Sequence, residues 1–230
     1  MATIIEAWQH VPRAARGATV ALGNMDGVHL GHAAVLRAAH AARPDLPRAA
    51  LTFEPHPREH FRPQDPPFRL TLLPAKAGAL ADAGAAFVFA LPFDDAFAAM
   101  PAEAFVEEVL HKGLGAKHLA CGPDFAFGHR RGGDVAFLAR EAEKRGMGLT
   151  VVPPLLHDGE AVSSTRIRRL LQDGYPERAA EKLGRPWEIR GTVVHGDKLG
   201  RVLGWPTANM WLGRHLEPAH GVYAVTIALP

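Results

Sequence analysis

The ten residues Gly23–His32 read Gly-Asn-Met-Asp-Gly-Val-His-Leu-Gly-His. They follow an apolar run, Thr19–Leu22, with the character of a buried strand, and they open into an alanine-rich helical pattern from about Gly31. A strand that ends in glycines and enters a helix presents unpaired backbone N–H groups and a positive dipole end to an anion. His29 and His32 stand at that same edge, where an imidazole, neutral or cationic, suits a polyphosphate. Asp26-Gly27 supplies a tight turn, and Gly31 lets backbone come close to a ligand. Two incidental surface histidines on a strand-turn-helix are the plain alternative, but they leave the coincidence of Gly, Asp and both His unexplained. A metal pair is the other rival. Against it, no acidic residue or third histidine lies at helical spacing on the same face.

Three further segments carry candidate chemistry. Cys121–Asp134 reads Cys-Gly-Pro-Asp-Phe-Ala-Phe-Gly-His-Arg-Arg-Gly-Gly-Asp after the strand-like His118–Cys121. Phe125 and Phe127 alternate with small residues, while Asp124, His129, Arg130 and Arg131 offer polar contacts. A loop of that kind can stack an aromatic ring system and hydrogen-bond its edge, or it can serve as an ordinary hydrophobic anchor. In Val162–Leu171, Ser163 or Ser164 can cap a helix whose core face is Ile167, Leu170 and Leu171, leaving Arg166, Arg168 and Arg169 off that face. Hydroxyls and an arginine in a first turn make a second phosphate site; a capped basic surface helix uses the same pattern. In Gly191–Asn209, the stretch Gly196–Gly200 lacks the Gly-Lys-Ser/Thr ending of a Walker A loop, yet its amides could cradle phosphates. Thr207 and Asn209 there carry oxygens suited to Mg²⁺, and a tight β-hairpin is the structural alternative.

These segments must be positioned by a scaffold, and the pattern of the chain indicates one. Strand-like runs at Thr19–Leu22, Ala49–Phe53, Phe87–Leu91, His118–Cys121 and Leu149–Val152 alternate with helical patterns over Gly31–Arg43, Pro74–Ala83, Pro101–Lys112 and Asp134–Arg145. That rhythm predicts an α/β fold with a mostly parallel sheet covered on both faces. Pro74 and Pro101 are placed to begin helices, Asp134 to cap one, and Gly84, Gly113 and Gly146 to end them. After about Leu183 the pattern changes to strand-like segments, Glu188–His195 and Gly221–Leu229, joined by glycine-rich turns. A domain over 1–182 is therefore expected to be followed by an all-β module over 183–230. The 48 residues of that module allow only about three or four strands, fewer than a closed barrel needs.

Composition limits the function classes. The 230 residues hold 26 Lys+Arg against 24 Asp+Glu, with no basic run longer than Arg130-Arg131 or Arg168-Arg169, so bulk charge does not imply a nucleic-acid partner. No apolar run approaches membrane-spanning length, and the first residues carry an early acid without a basic n-region, against a signal peptide. One cysteine, Cys121, excludes an intramolecular disulfide and a cysteine zinc site, and fits a reducing cytoplasm.

Taken together, Gly23–His32, Thr52-Phe-Glu-Pro-His-Pro57, Leu91-Pro-Phe-Asp94, Gly122–Asp134, Ser163-Ser-Thr-Arg-Ile-Arg168, Leu203-Gly-Trp-Pro-Thr-Ala-Asn209 and Gly221-Val-Tyr223 resemble the prokaryotic bifunctional riboflavin kinase/FAD synthetase family. Met25 and Trp205 stand where that family usually has Phe. The resemblance implies that the first domain is a Rossmann-like nucleotidyltransferase fold that joins ATP and FMN into FAD and pyrophosphate, with Mg²⁺ bridging phosphates and no direct protein ligand to the metal. It further implies that His29, His32 and Arg166 are catalytic and that Gly23, Asn24, Asp26, Gly31, Ser164, Thr165 and Arg168 bind ATP. Asp124, Phe125 and Phe127 would line the FMN site. The second module resembles the riboflavin kinase barrel, with Thr207 and Asn209 holding Mg²⁺-ATP. Because that family's catalytic carboxylate lies further along than residue 230, the chain as given is expected not to phosphorylate riboflavin, an activity anticipated for the full-length protein. Small molecules are the expected partners, with no nucleic acid and no membrane, and the cytoplasm the expected location.

Overall fold

A computed structural model of the protein describes residues 1–196, 204 and 207–228. Its centre is a six-stranded sheet built from β1 (Thr3–Ile5), β2 (Thr19–Leu22), β3 (Arg48–Glu54), β4 (Phe87–Pro92), β5 (His118–Cys121) and β6 (Gly148–Val151). The spatial order is β1-β4-β3-β2-β5-β6, and every pairing is parallel. Central strands of such a sheet are covered on both faces, which is why β2 and β5 read as unbroken apolar runs and every residue in them is buried.

The covering helices lie close to their expected places. They are α1 (Leu30–Ala42), α2 (Pro57–Phe61), α3 (Leu73–Asp82), α4 (Asp95–Ala98), α5 (Ala102–Ala104) and α6 (Val135–Lys144). α5 continues as a π-helix over Phe105–Gly113, where the chain widens and the Leu114 N–H reaches back five residues to the Val109 carbonyl at 2.8 Å. Asp134 caps α6 by accepting from the Phe137 N–H at 2.7 Å. Gly84 and Gly146 end their helices at φ of +98° and +67°. Gly113 is the last residue of this helix but does not take a left-handed angle. The left-handed position is Gly115, while a Cβ on Gly113 would stand 2.8 Å from the Trp8 ring, so Gly113 serves packing.

Two more helices, α7 (Ser164–Gln172) and α8 (Pro176–Leu183), pack together over Phe68, Leu70 and Leu216. A short hairpin, β7 (Leu156–His157) with β8 (Glu160–Ala161), leads into α7. Packing of the first unit runs past residue 182. Arg185 donates to the carbonyls of Gly27 and Val28 at 2.7 and 2.9 Å, and the Trp187 indole to that of Leu70 at 2.9 Å.

The β-rich reading of 183–230 holds only in part. Of Glu188–His195, only β9 (Val193–Val194) forms a strand, paired antiparallel with β10 (Asn209–Met210). Gly221–Leu229, expected as a strand, has no strand among its described residues 221–228. Val222, Val225 and Ile227 there are exposed. β-prone residues form a strand only when a neighbouring strand takes up their backbone N–H and C=O groups, and the described residues supply none at that place.

Candidate active site

The sheet reverses its winding at β2. From there β3, β4 and β1 lie on one side, and β5 and β6 on the other. In open parallel sheets the crevice beyond the carboxyl ends of the strands at such a switch point is where ligands bind. The Gly23–His32 loop leaves β2 at that point and the Gly122–Asp134 loop leaves β5 beside it. With the Val162–Thr165 turn they line one cavity of about 970 Å³.

The first loop is held by bonds from its neighbours. Thr52 Oγ1 donates to the Asn24 carbonyl at 2.7 Å, and the Gly27 N–H donates to Thr71 Oγ1 at 3.0 Å. Gly27 sits at φ +84° with Leu70 2.8 Å from where a Cβ would project, so a side chain there is excluded on two counts. Met25 is 1% exposed and plugs the apolar layer beneath the loop. The Asp26 carboxylate is equally buried and faces inward. It accepts from the Leu70 and Thr71 N–H groups at 3.0 Å each and from Arg168 Nη2 at 2.7 Å, with Arg69 Nε 3.8 Å away. Burial pushes its pKa up, but Arg168 and Arg69 with the Leu70 N–H outweigh this and hold it below 3.8. Asp26 thus fixes the loop from behind with its acceptor sites already occupied.

His29 and His32 form a stacked pair, ring centroids 3.6 Å apart at an interplanar angle of 17°. His29 is the N-cap of α1, its Nδ1 accepting from the His32 N–H at 3.3 Å, so the neutral ring carries its proton on Nε2. A Cβ at Gly31 would stand 3.0 Å from the His29 ring, which explains a glycine at this helical position. Burial drives the His29 pKa down to about 4, and burial with the neighbouring His29 takes His32 well below 6.5. Both rings are therefore neutral at pH 7 in the free protein. Nδ1 of His32 is buried and finds no hydrogen-bond partner among the described residues.

At α7, Ser163 caps the helix by accepting from the Arg166 N–H at 3.2 Å, and Ser164 Oγ donates to the Asp26 carbonyl at 2.8 Å. Ser164, Thr165 and Arg168 line the cavity, Thr165 being exposed. Arg168 is committed to Asp26 and to the Phe68 carbonyl, 2.9 Å from its Nε. Arg166 is not among the cavity-lining residues; its guanidinium pairs with Glu160 of the hairpin at 2.7 Å. Also lining the cavity, Phe127 is anchored in the core between Phe105 and Phe137, Phe125 stacks on it at 5.4 Å, and Asp124 is exposed. Thr207 and Asn209 lie exposed in the 183–230 region and take no part in this cavity. Residues 197–203, with Trp205, Pro206, Leu229 and Pro230, fall outside the described residues, so the Gly196–Gly200 loop and the start of the Leu203–Asn209 motif are not placed.

Three residues with no role assigned from the sequence also bear on the site, His56 in the cavity wall and Lys76 and Arg69 behind it. Lys76 of α3 is fully buried and donates to Thr52 Oγ1 at 3.0 Å and to the Asn24 carbonyl at 3.3 Å. Burial and Arg69 lower its pKa to about 8. His56 caps α2, lines the cavity, and is taken down to about 4 by burial. Arg69 is fully buried and pairs with both Glu54 and Glu59. The sequence signal for Lys76 and Arg69 is a charge inside an otherwise apolar stretch, and for His56 an imidazole directly before the Pro that begins a helix.

A wholly parallel sheet whose switch-point crevice holds a histidine pair at a helix N-terminus defines a nucleotide-binding α/β domain of the nucleotidyltransferase kind. Residues 11–166 match the FAD synthetase family and residues 183–230 the riboflavin kinase family. The chain belongs to the bifunctional riboflavin kinase/FMN adenylyltransferase family. It is 41% identical over 213 residues to the bifunctional riboflavin kinase/FMN adenylyltransferase of Escherichia coli K12, covering 92% of this chain and 68% of the relative. With the protein so described from Haemophilus influenzae it shares 39% identity over 228 residues, 98% of this chain and 74% of the relative. A crystal structure described as a macrolide-efflux protein from Streptococcus pneumoniae superimposes with a TM-score of 0.83 at 32% identity, over 96% of this chain and 73% of that one. Among the described residues no helix is long and apolar enough to cross a membrane. The protein is an FMN adenylyltransferase with an FAD synthetase domain and part of a riboflavin kinase domain.

Proposed function

We propose that the cavity at the β2/β5 switch point is the adenylyl-transfer site, with the ATP phosphates between the His29/His32 pair and the first turn of α7, and FMN against Phe125 and Phe127. The reading rests on the convergence of those three segments on one cavity. A phosphate oxygen of FMN attacks the α-phosphorus of ATP in line, the bond to the bridging oxygen breaks, and pyrophosphate leaves. No covalent intermediate on the protein is needed, so the residues act by positioning and by stabilising charge. His29 and His32 donate ring N–H bonds to the phosphate oxygens, and a bound triphosphate draws both pKa values upward from their depressed values. Gly23, Asn24 and Gly31 shape the loop around the ligand, Asp26 and Arg168 hold it from behind, and Ser164 and Thr165 offer hydroxyls to the leaving pyrophosphate. Arg166 joins them by exchanging Glu160 for phosphate.

Mg²⁺ supplies charge neutralisation across the phosphates. Among the described residues the carboxylates lining the cavity are Asp26, already saturated, and Asp124, which fits an ion carried in on the nucleotide and not one held in a protein cage. In the second module Thr207 and Asn209 offer oxygens for a second Mg²⁺-ATP. A boundary near residue 182 and a cytoplasmic location complete the proposal, the latter supported by the single free cysteine, Cys121. The test is FAD formation from FMN, ATP and Mg²⁺, followed by separation of the flavins. His29→Ala is expected to lower kcat/KM by about 10²–10³, as removal of a preorganised donor to a developing charge does elsewhere. Wild-type turnover in that variant would reject the assignment.

A further inference from the structure

The region matching riboflavin kinase reaches back onto the first domain at one place. The Arg69 N–H donates to the Arg214 carbonyl at 3.3 Å and the Leu216 N–H to the Arg69 carbonyl at 2.9 Å, so the 214–216 stretch makes an isolated parallel bridge to Arg69. Leu216 is 2% exposed among Phe68, Leu70, Ile167, Leu170 and Leu171, and the Ala219 N–H donates to the Leu171 carbonyl at 2.9 Å.

From this stretch the Arg214 side chain meets the two carboxylate oxygens that Arg69 Nη1 meets from inside, while Arg69 Nη2 holds Glu54 Oε2 at 2.9 Å. Arg69 Nη1 lies 2.9 Å from Glu54 Oε1 and 2.8 Å from Glu59 Oε2. Arg214 Nη2 lies 3.1 Å from Glu54 Oε1 and 2.6 Å from Glu59 Oε2, and its Nε lies 2.9 Å from Glu59 Oε1. Two guanidinium groups thus bracket two carboxylates, one buried and one reaching in from the surface. Three routes lead from this bracket to the cavity. Arg69 approaches Asp26, which holds Arg168. Glu54 approaches Lys76 at 3.7 Å, and Lys76 holds the Asn24 carbonyl. Glu59 Oε2 accepts from the His56 N–H at 2.9 Å in the cap of α2. All three endpoints, Asp26 with Arg168, Asn24 and His56, line the cavity.

We infer that Arg214, supplied by the kinase-matching region, is a positioning residue for adenylyl transfer: by sharing Glu54 and Glu59 it leaves Arg69 free to set Asp26, and through it the ATP-binding loop. Without Arg214, Glu54, held by both Arg69 Nη1 and Nη2, and Glu59, held by Nη1, depend on Arg69 as their one arginine partner, with Glu54 also 3.7 Å from Lys76. Arg69 is then drawn toward the glutamates and the loop relaxes. Asn24 and Asp26 belong to the Gly23–His32 loop assigned to the nucleotide, so the effect falls on ATP and not on FMN. This inference rests on the assignment of the nucleotide to the His29 side of the cavity.

The experiment is steady-state FAD synthesis by the 230-residue chain carrying Arg214→Ala or Arg214→Lys, with His29→Ala as the control on the site and thermal unfolding recorded for each. Arg214→Ala is expected to raise the KM for ATP roughly threefold or more. Its KM for FMN and its kcat should stay within about twofold of wild type, and Arg214→Lys, which keeps the charge but not the fork, should recover part of the loss. An unchanged KM for ATP in Arg214→Ala, with His29→Ala impaired, overturns the coupling alone. A uniform loss of activity and melting temperature that Lys does not relieve overturns it too, by making Arg214 a structural residue. Full activity in His29→Ala overturns the site assignment and the coupling with it.

Discussion

Replacing Asp26 with Asn changes one buried charge pair and should show whether the Gly23–His32 loop, proposed to take ATP, is held by charge. The carboxylate is 1% exposed, and its partner Arg168 is 16% exposed in its side chain. Removing one member of a buried pair costs about 3–5 kcal/mol, because the other charge is left without compensation. The partial exposure of Arg168 argues for the lower end, about 3 kcal/mol, although Arg69 Nε at 3.8 Å loses its neighbour as well. For a chain of this size each kcal/mol moves the melting temperature by roughly 2–4 °C, so Asp26→Asn should melt roughly 6–12 °C below wild type at pH 7. The folded pKa of Asp26 lies below its unfolded value near 3.8, so its contribution is complete above about pH 4 and is lost as pH falls through the folded value. The gap between the two proteins should therefore be constant from pH 8 to 5 and close only in strong acid. Thermal unfolding followed by circular dichroism at several pH values measures it, and FAD synthesis should show a raised KM for ATP. A melting temperature within about 2 °C of wild type at pH 7, with an unaltered KM, would refute the loop-clamp reasoning.

Two other outcomes follow from the same geometry. His29 and His56 have pKa values near 4 against 6.5 when unfolded, and His32 is depressed as well. A buried base with a depressed pKa binds fewer protons folded than unfolded between the two values, so stability should fall as pH drops from 6.5 toward 4, by roughly 3 kcal/mol each for His29 and His56. Urea unfolding at pH 7.5 and 5 tests this: His56→Asn, which retains a helix cap, should flatten the slope, and an unchanged slope counts against burial as its cause. Separately, Glu160→Gln should lower the KM for ATP by about 1.4- to 5-fold, the range that release from an exposed ion pair can supply, whereas Arg166→Ala should raise it. Unchanged values in both variants would remove Arg166 from the site.

What the sequence carried and what it did not divide along physical lines. The parallel sheet was legible because Thr19–Leu22 and His118–Cys121 are apolar at every position, and only strands covered on both faces read so. The helix starts were legible because caps are local: Asp134 and Ser163 each bond an N–H three residues on. Ends were less so. Gly113 has the composition of a terminator, but whether a glycine answers a backbone angle or a neighbouring Trp8 is decided by a residue over a hundred positions away. The histidine pair could be located from spacing, but its charge state could not, since stacking and burial set it.

The same distinction explains the arginines of α7. Spacing put Arg166 and Arg168 off the core face alike, and the family pattern made the first a catalytic and the second an ATP-binding residue. In the fold their surroundings differ sharply: Arg168 is turned inward by a carboxylate from a loop 142 positions earlier, while Arg166 meets Glu160 six positions before it. A long-range partner that is itself buried fixes an arginine in place, because leaving would strand a charge. A short-range, solvent-exposed partner holds it with little energy and can be exchanged for phosphate at small cost. Arg168 is thus suited to shaping the Gly23–His32 loop ahead of any ligand, and Arg166 to moving when the proposed nucleotide arrives.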